Sequence, residues 1–367
     1  MRKKPLSVRI RPPGNAKTAA EHRTMKMKDV AALLGVSRQT VSAVLNGKEW
    51  VSEETRRRVL ETIDEHGYTP NPHAVSLAGK SAPLIGVVLR DISNMFYTQL
   101  AMGIESVTRS EGYDILYYNT FENHDYEVEA VHSLLSYRVS GVIISPIILG
   151  MDLSHLWKLW RSGTPFVSID KIPSLINHSI SFENERAAYD ATRYLIGRGH
   201  RRLAFLGGPE SSISAQARLM GHKSCLLDHG IAINGKWIAG AGTDEAQRNA
   251  AAHKVLDDPA RRPTAVLCFN DLVAINVYKA AHALHLHIPN DLSVMGFDDI
   301  EMASLLGPPL TTMRLDSYRA GAEAARIVME SINRNYAPAS EIKQIEYAPE
   351  LIERESVKQI AQPGICG

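Results

Sequence analysis

The chain has 367 residues, 44% hydrophobic and 22% charged, with a net charge of +1, which is length enough for two or three well-buried domains. The average hides an asymmetry: residues 1–80 hold 15 Lys+Arg against 8 Asp+Glu, a net of +7, and the remainder holds 26 against 32, a net of −6. A basic head on an acidic body suits a protein whose head alone meets a polyanion, while three scattered cysteines (Cys225, Cys268, Cys366) exclude a disulfide framework or a zinc site.

Few cysteines fit a reducing compartment, no apolar run reaches the length of a membrane span, and the N-terminus has no apolar signal segment. A cytoplasmic protein is expected, with no membrane partner. Residues 1–25, rich in Arg, Lys and Pro, read as a disordered basic extension.

Next come two short helical patterns meeting at Gly35-Val36. The first buries Val30, Ala31 and Leu34; the second buries Val41, Val44 and Leu45 at i, i+3, i+4 spacing. Ser37, Arg38, Gln39 and Ser42 then fall on the solvent side. Two helices joined by a tight Gly-containing turn form a helix-turn-helix, whose second helix enters the DNA major groove. Arg and Gln near its start have the donors and acceptors to grip guanine and adenine edges in pairs. A third helix is predicted over Glu53–His66, capped by Ser52, stopped by Gly67, and carrying Val59, Leu60 and Ile63 as its apolar stripe.

Residues 71–80 spell a two-turn helix, with Asn71 as cap, Pro72 at the first position and Gly79 as stop. So short a helix is marginal in water by itself. From Leu84 the pattern changes to strand-like runs (Leu84–Leu89, Ile115–Tyr118, Val142–Ser145, Phe166–Ile169, Leu203–Leu206, Ala265–Phe269, Ser293–Phe297) separated by amphipathic helices. Such alternation means parallel sheets covered on both faces, and about 270 residues suit two such sheets. Ligands of open α/β sheets bind outside the carboxyl ends of the strands. Asp91, Asn94, Phe96, Asp170, Asn270, Asp271 and Asp298 stand at or just past those ends, and Arg218 follows Leu203–Leu206. Asp271 reads as the cap of the helix after Ala265–Phe269, and Asp91 equally as a turn former. The His282, His285, His287 spacing lacks a completing Cys or carboxylate, so no metal is expected. Gly240-Ala241-Gly242 lacks the last glycine of a dinucleotide loop, and no nucleophile–base spacing stands out, so an enzyme is not expected.

These residues resemble the LacI/GalR family of bacterial transcription regulators. The head carries DVAALLGVSRQTVSAVLNG, VSEETRRRVL, GYTPN and the hinge-like A-x-x-L-A-G-K ending at Lys80. The body carries LIGVVL with DISNMFY, RGHRRLAFLGG, ARLMGH, RPTAVLCFND, IPNDLSVMGFDD, PLTTMR and LIERESV. The resemblance spans about 26–356. It implies a helix-turn-helix domain over 26–70, a hinge helix over 71–80, a periplasmic-binding-protein-like core over 81–358 and a tail over 359–367. The core would be two parallel-sheet subdomains joined by three crossings, about 81–172 with 310–340 and about 173–309 with 341–358.

It further implies a homodimer on a palindromic double-stranded operator. Arg38, Gln39, Ser42 and Ala43 would face bases, although Ala43 stands where relatives carry Arg and offers only a methyl for thymine. Ser37, Thr40, Asn46, Ser52 and Thr55 would meet phosphates. Leu77, beside Ala74, would wedge into the minor groove. Asp91, Asn94, Phe96, Asp170, Arg218, Asn270 and Asp298 would hold a small-molecule effector of the sugar class, with no cofactor. Carboxylates, amides and a guanidinium can together satisfy sugar hydroxyls, and Phe96 can stack on an apolar sugar face. The expected function is a repressor; the alternative is a solute-binding protein of a transport system, which the body alone would suit.

Overall fold

In a computed structural model of the chain, the described residues are 25–45, 48, 50–66, 82–173, 175–334 and 341–360. They form two units, a head before residue 79 and a body after it. The hinge segment 71–80, with Ala74 and Leu77, lies outside the described residues, as do Asn46 and Gly67.

The head holds α1 (Met27–Leu34), α2 (Arg38–Leu45) and α3 (Glu53–Glu65). Gly35 ends α1 in the left-handed region at φ 67°, sending its N–H back to Ala32 O and that of Val36 to Ala31 O, the turn for which a residue without Cβ is best suited. The Ser37 hydroxyl then caps α2, accepting from Thr40 N at 3.0 Å, and Ser52 caps α3, accepting from Thr55 N at 3.3 Å. Val30, Ala31, Val41, Ala43, Val44, Val51 and Val59 close a small core. Leu60, expected in that core, is instead 48% exposed, so the apolar face of α3 is narrower than its sequence suggested.

The body contains two six-stranded sheets. The first is ordered β2 (Asp114–Asn119), β1 (Ala82–Leu89), β3 (Val139–Ile144), β4 (Phe166–Ile169), β5 (His178–Phe182), β11 (Gln344–Tyr347), all parallel. The second is ordered β7 (Ile238–Gly240), β6 (Leu203–Gly207), β8 (Ala265–Cys268), β9 (Ser293–Asp298), β10 (Thr311–Arg314), β12 (Glu350–Ile352), parallel except for the last pair. Both follow the 2-1-3-4-5 order of doubly wound sheets, each closed by one strand from the C-terminal region.

Alternate residues of each strand feed opposite cores. Ile85, Val87, Leu89 and Ile143 face the cluster under α4 (Met95–Thr108) and α11 (Ser317–Asn333), while Val88, Val142 and Ile144 face the one under α5 (His124–Tyr137) and α6 (Ser154–Arg161). In the second sheet Leu203, Phe205 and Leu267 face the side of α7 (Asn184–Gly197) and α8 (Ile213–Asp228), and Leu206, Val266 and Val294 face that of α9 (Glu245–Leu256) and α10 (Asp271–Ala283). Apolar residues at both parities are what a sheet covered on both faces requires.

Glycine lets the paired helices approach closely. A Cβ on Gly103 of α4 would lie 2.0 Å from Tyr318 O of α11, and one on Gly221 of α8 would lie 1.9 Å from Glu185 O of α7.

Sheet membership moves the subdomain boundaries. His178–Phe182 belongs to the first sheet, so the first crossing falls at Glu183-Asn184 rather than after 172. Thr311–Arg314 belongs to the second sheet, so the return falls after Arg314 rather than at 310, and Gln344–Tyr347 rejoins the first sheet before the last crossing. The first subdomain is thus about 82–182, 315–334 and 341–347, and the second about 184–314 and 350–358.

Candidate functional site

The reading face of the head is built by α2. Arg38 and Gln39 are exposed at its first two positions. Ser37 and Thr40 join hydroxyls at 2.9 Å, and Ser52 and Thr55 do the same at 2.9 Å. Four of the five residues expected at phosphates therefore sit as two hydroxyl pairs at the N-termini of α2 and α3, where backbone N–H groups and the helix dipole favour an anion. Two of the residues expected at bases are less open than Arg38 and Gln39. Ala43 is only 6% exposed and packs in the head core, because one residue, 100° of turn, separates it from Val44 and the apolar stripe is wide enough to include both. Ser42 is half-buried rather than on the open face.

In the body, Asp91, Asn94, Phe96, Asp170, Arg218, Asn270 and Asp298 all line one cleft between the subdomains. The cleft lies at the carboxyl ends of β1, β3 and β4 on one side and of β6, β8 and β9 on the other. Helix caps hold several of these groups in place. Asn94 caps α4, accepting from Phe96 N at 3.0 Å. Asn270 caps α10, accepting from Val273 N at 3.0 Å, which leaves its amide nitrogen for the cleft. Asp91 takes both the N–H and the hydroxyl of Ser93, at 2.9 and 2.7 Å, so its turn-forming role and its place on the cleft coexist. Asp271, expected as the cap of α10, is not the cap. It is fully buried, accepting from Thr312 Oγ1 at 2.7 Å and Ile300 N at 3.0 Å, and burial raises its pKa well above the usual range.

Arg218 organises the second subdomain's side. Its Nε donates to Asn184 Oδ1 at 2.8 Å, its Nη1 donates to Phe269 O and lies 3.7 Å from Asp298 Oδ1, and its guanidinium is stacked against Phe269 and Phe297 with 4.8 and 4.5 Å to the ring centroids. This is a planar cation held by its edges and its faces at once. The ion pair is internal to one subdomain, while Asp170 of the other subdomain reaches Arg218 through its field.

Burial pushes the Asp298 carboxyl up to about 7, against the pull of Arg218 and of a hydrogen bond from Asn94. That last bond joins α4 of the first subdomain to β9 of the second. Asp170 is raised by burial too, with Arg90 and Arg218 opposing. Both aspartates have left-handed backbone, at φ 76° for Asp170 and 103° for Asp298. Such positions cost about 1–3 kcal/mol each and concentrate at functional sites.

Sequence reasoning missed Arg90, Tyr97, Glu122, Ser145, Asn184 and Arg248, which line the same cleft. Arg90 is buried, donating through Nε to Glu122 Oε2 at 2.8 Å. Its place directly after β1, next to Asp91, was the available signal; Glu122 lies 32 residues on and gave none. Leu149 N donates to Ser211 O at 3.1 Å, a backbone tie between the subdomains.

A helix-turn-helix head joined to two doubly wound subdomains around a polar cleft defines a ligand-controlled DNA-binding regulator. Two family models match it: bacterial regulatory proteins of the lacI family over residues 26–71, and the periplasmic binding protein-like domain over 192–357. The HTH-type transcriptional repressor PurR of Vibrio vulnificus (strain CMCP6) is 33% identical over 335 residues, covering 91% of this chain and 99% of that protein. Among solved structures, the lac repressor dimer bound to operator and the anti-inducer ONPF is similar with a TM-score of 0.77 at 29% identity, over 92% of this chain and 100% of that one. The transcriptional regulator CelR in its cellobiose complex is similar with a TM-score of 0.67 at 25% identity, over 90% of this chain and 99% of that one. The chain belongs to the lacI family of bacterial regulatory proteins. It is a DNA-binding transcriptional repressor, not an enzyme, and its body is the periplasmic-binding-protein-like module of that family.

Proposed function

We propose that the chain binds a palindromic operator as a homodimer and that a small polar effector of the sugar class, seated in the cleft between the subdomains, sets whether it stays bound. The observation that carries this reading is the convergence of seven polar or aromatic side chains, read separately from strand ends, on one cleft. The lac repressor and CelR structures, solved with an anti-inducer and with cellobiose, support a small polyol-like ligand for this fold.

On the DNA, Arg38 and Gln39 read base edges, and the Ser37–Thr40 and Ser52–Thr55 hydroxyl pairs position the head on phosphates. Leu77, beside Ala74 in the hinge, is the minor-groove wedge and Asn46 a further phosphate contact; both assignments rest on the family resemblance.

In the cleft, Asp170, Asp298 and Asn270 accept from and donate to ligand hydroxyls, Arg218 fixes Asp298 and Asn184, and Phe96 offers its face. A ligand that touches both subdomains favours one closure of the cleft over others, and control amounts to that difference in affinity. The test is a gel shift of the full chain on DNA from a selected-site library, with and without each member of a sugar panel. Sequence-selective retention, altered by a sugar in wild type and not in Asp298→Asn, is the expected result. Retention indifferent to sequence would overturn the operator assignment; a sugar response untouched by Asp298→Asn would overturn the cleft assignment.

A further inference from the structure

Three arginines line the cleft, and they are not equivalent. Arg90 is paired with Glu122, and Arg218 lies 3.7 Å from the carboxyl of Asp298. Among the described residues, no carboxylate lies within ion-pair distance of Arg248. Glu245, one turn earlier, acts on it only through its field and is itself held by Lys279 at 2.5 Å. The Arg248 Nη1 donates to Thr243 O at 2.8 Å, folding the guanidinium over the Gly242-Thr243 turn, while its Nε is shielded from solvent and has no hydrogen-bond partner.

Buried donors are nearly always satisfied, and an exception calls for a missing partner. A second local rule is broken at the same residue. Arg248 is the fourth residue of α9, in its first turn, where the helix dipole disfavours a cation. Violations of this kind gather where function requires them. The same cleft is lined by hydroxyls that suit an anion: that of Thr243, whose carbonyl Arg248 holds, and the Ser212–Ser214 pair, 2.9 Å apart, at the start of α8.

We propose that the effector is a polyol bearing an anionic group, a phosphate monoester or a carboxylate, and that Arg248 with Thr243 and Ser214 seats that group. This rests on the cleft being the effector site. Arg248 is then the specificity-determining residue that separates an anionic sugar derivative from the neutral sugar, its guanidinium supplying the charge-assisted hydrogen bonds that a neutral hydroxyl cannot draw out.

The test is thermal shift and calorimetric titration of the full chain, at matched ionic strength, with inorganic phosphate, glucose 6-phosphate, gluconate and glucose. The variants are Arg248→Gln, Arg248→Lys and Asp298→Asn. Inorganic phosphate and at least one anionic sugar are expected to stabilise the wild type. Arg248→Gln is expected to weaken them at least tenfold while leaving glucose unchanged, and Arg248→Lys to retain part of the affinity. A preference for glucose 6-phosphate over gluconate, or the reverse, names the anion.

The inference is overturned if inorganic phosphate gives no shift in the wild type, or if anions bind wild type and Arg248→Gln equally. It also falls if glucose alone binds, in which case loss of glucose binding in Asp298→Asn keeps the cleft as the effector site. If ligands bind and Asp298→Asn changes none of them, the cleft assignment itself fails.

Discussion

The carboxyl of Asp298 ties the chemistry of the cleft to stability, and Asp298→Asn tests that tie. The side chain is 6% exposed, 3.7 Å from Arg218 Nη1 and hydrogen-bonded by Asn94. Folding raises its pKa from 3.8 to about 7. Between those values the folded chain holds one proton more than the unfolded chain, so stability falls as pH rises through the window. The slope is about 1.4 kcal/mol per pH unit for a full proton, and the whole window is worth on the order of 4 kcal/mol. Below pH 3.8 the penalty is absent, and above about 7 it is complete. Asparagine carries no proton to lose, so the variant lacks this slope. The variant also leaves Arg218 without its carboxylate, but that is an offset nearly constant with pH, and only the slope matters. Urea unfolding of wild type and variant at pH 5, 6, 7 and 8, followed by circular dichroism, should give a difference that grows in the variant's favour by on the order of 1 kcal/mol per pH unit up to pH 7 and then levels. Parallel profiles would show that Asp298 is already ionised at pH 5 in the folded protein and that burial does not govern it.

Three further outcomes follow from geometry. Arg38→Ala should relax base preference at one symmetric pair of operator positions, at about 1–3 kcal/mol of discrimination, read from a selected-site library; an unchanged sequence logo would refute the assignment. Val41→Lys should unfold the head, seen as loss of all DNA binding, sequence-selective or not, since a charge would replace an apolar side chain with no exposure inside a small core; intact sequence-selective binding would show that this core does not hold the head together. Gly221→Ala should lower the melting temperature of the body by several degrees, because its Cβ would meet Glu185 O at 1.9 Å, whereas Gly197→Ala on α7, with open space around it, should not; equal melting temperatures would mean that α7 and α8 separate at little cost.

Much of this architecture is legible in the sequence because its strands are apolar runs that stop at polar residues. Leu84–Leu89 and Ser293–Phe297 announce both a strand and the cleft residue after it. What escapes is the polar strand buried by hydrogen bonds. His178–Phe182 reads HSISF and is wholly buried between β4 and the edge strand β11 of the first sheet, and Thr311–Arg314 is buried at its first three positions, with Thr312 bonded to Asp271 and Thr311 N to Ser356. Hydropathy does not distinguish such segments from loops, and for that reason the subdomain crossings were placed too early. Likewise Asp170 and Asp298 are visible as strand ends, while the Arg90–Glu122 pair depends on how a turn 32 residues away folds back.

The interleaving of the two sheets has a consequence for synthesis. Every strand of the first sheet except its edge is made by residue 182, yet α11, which covers Ile85, Val87 and Ile143, begins only at Ser317, and the edge strand comes at 344. The second sheet likewise waits for residues 350–352. A chain emerging from the ribosome therefore carries an open apolar sheet face through more than a hundred residues of elongation, in contrast to a protein whose domains fold one after another. Neither subdomain is fully packed until the C-terminal segments are added, so truncated chains present chaperones and proteases with bare sheet.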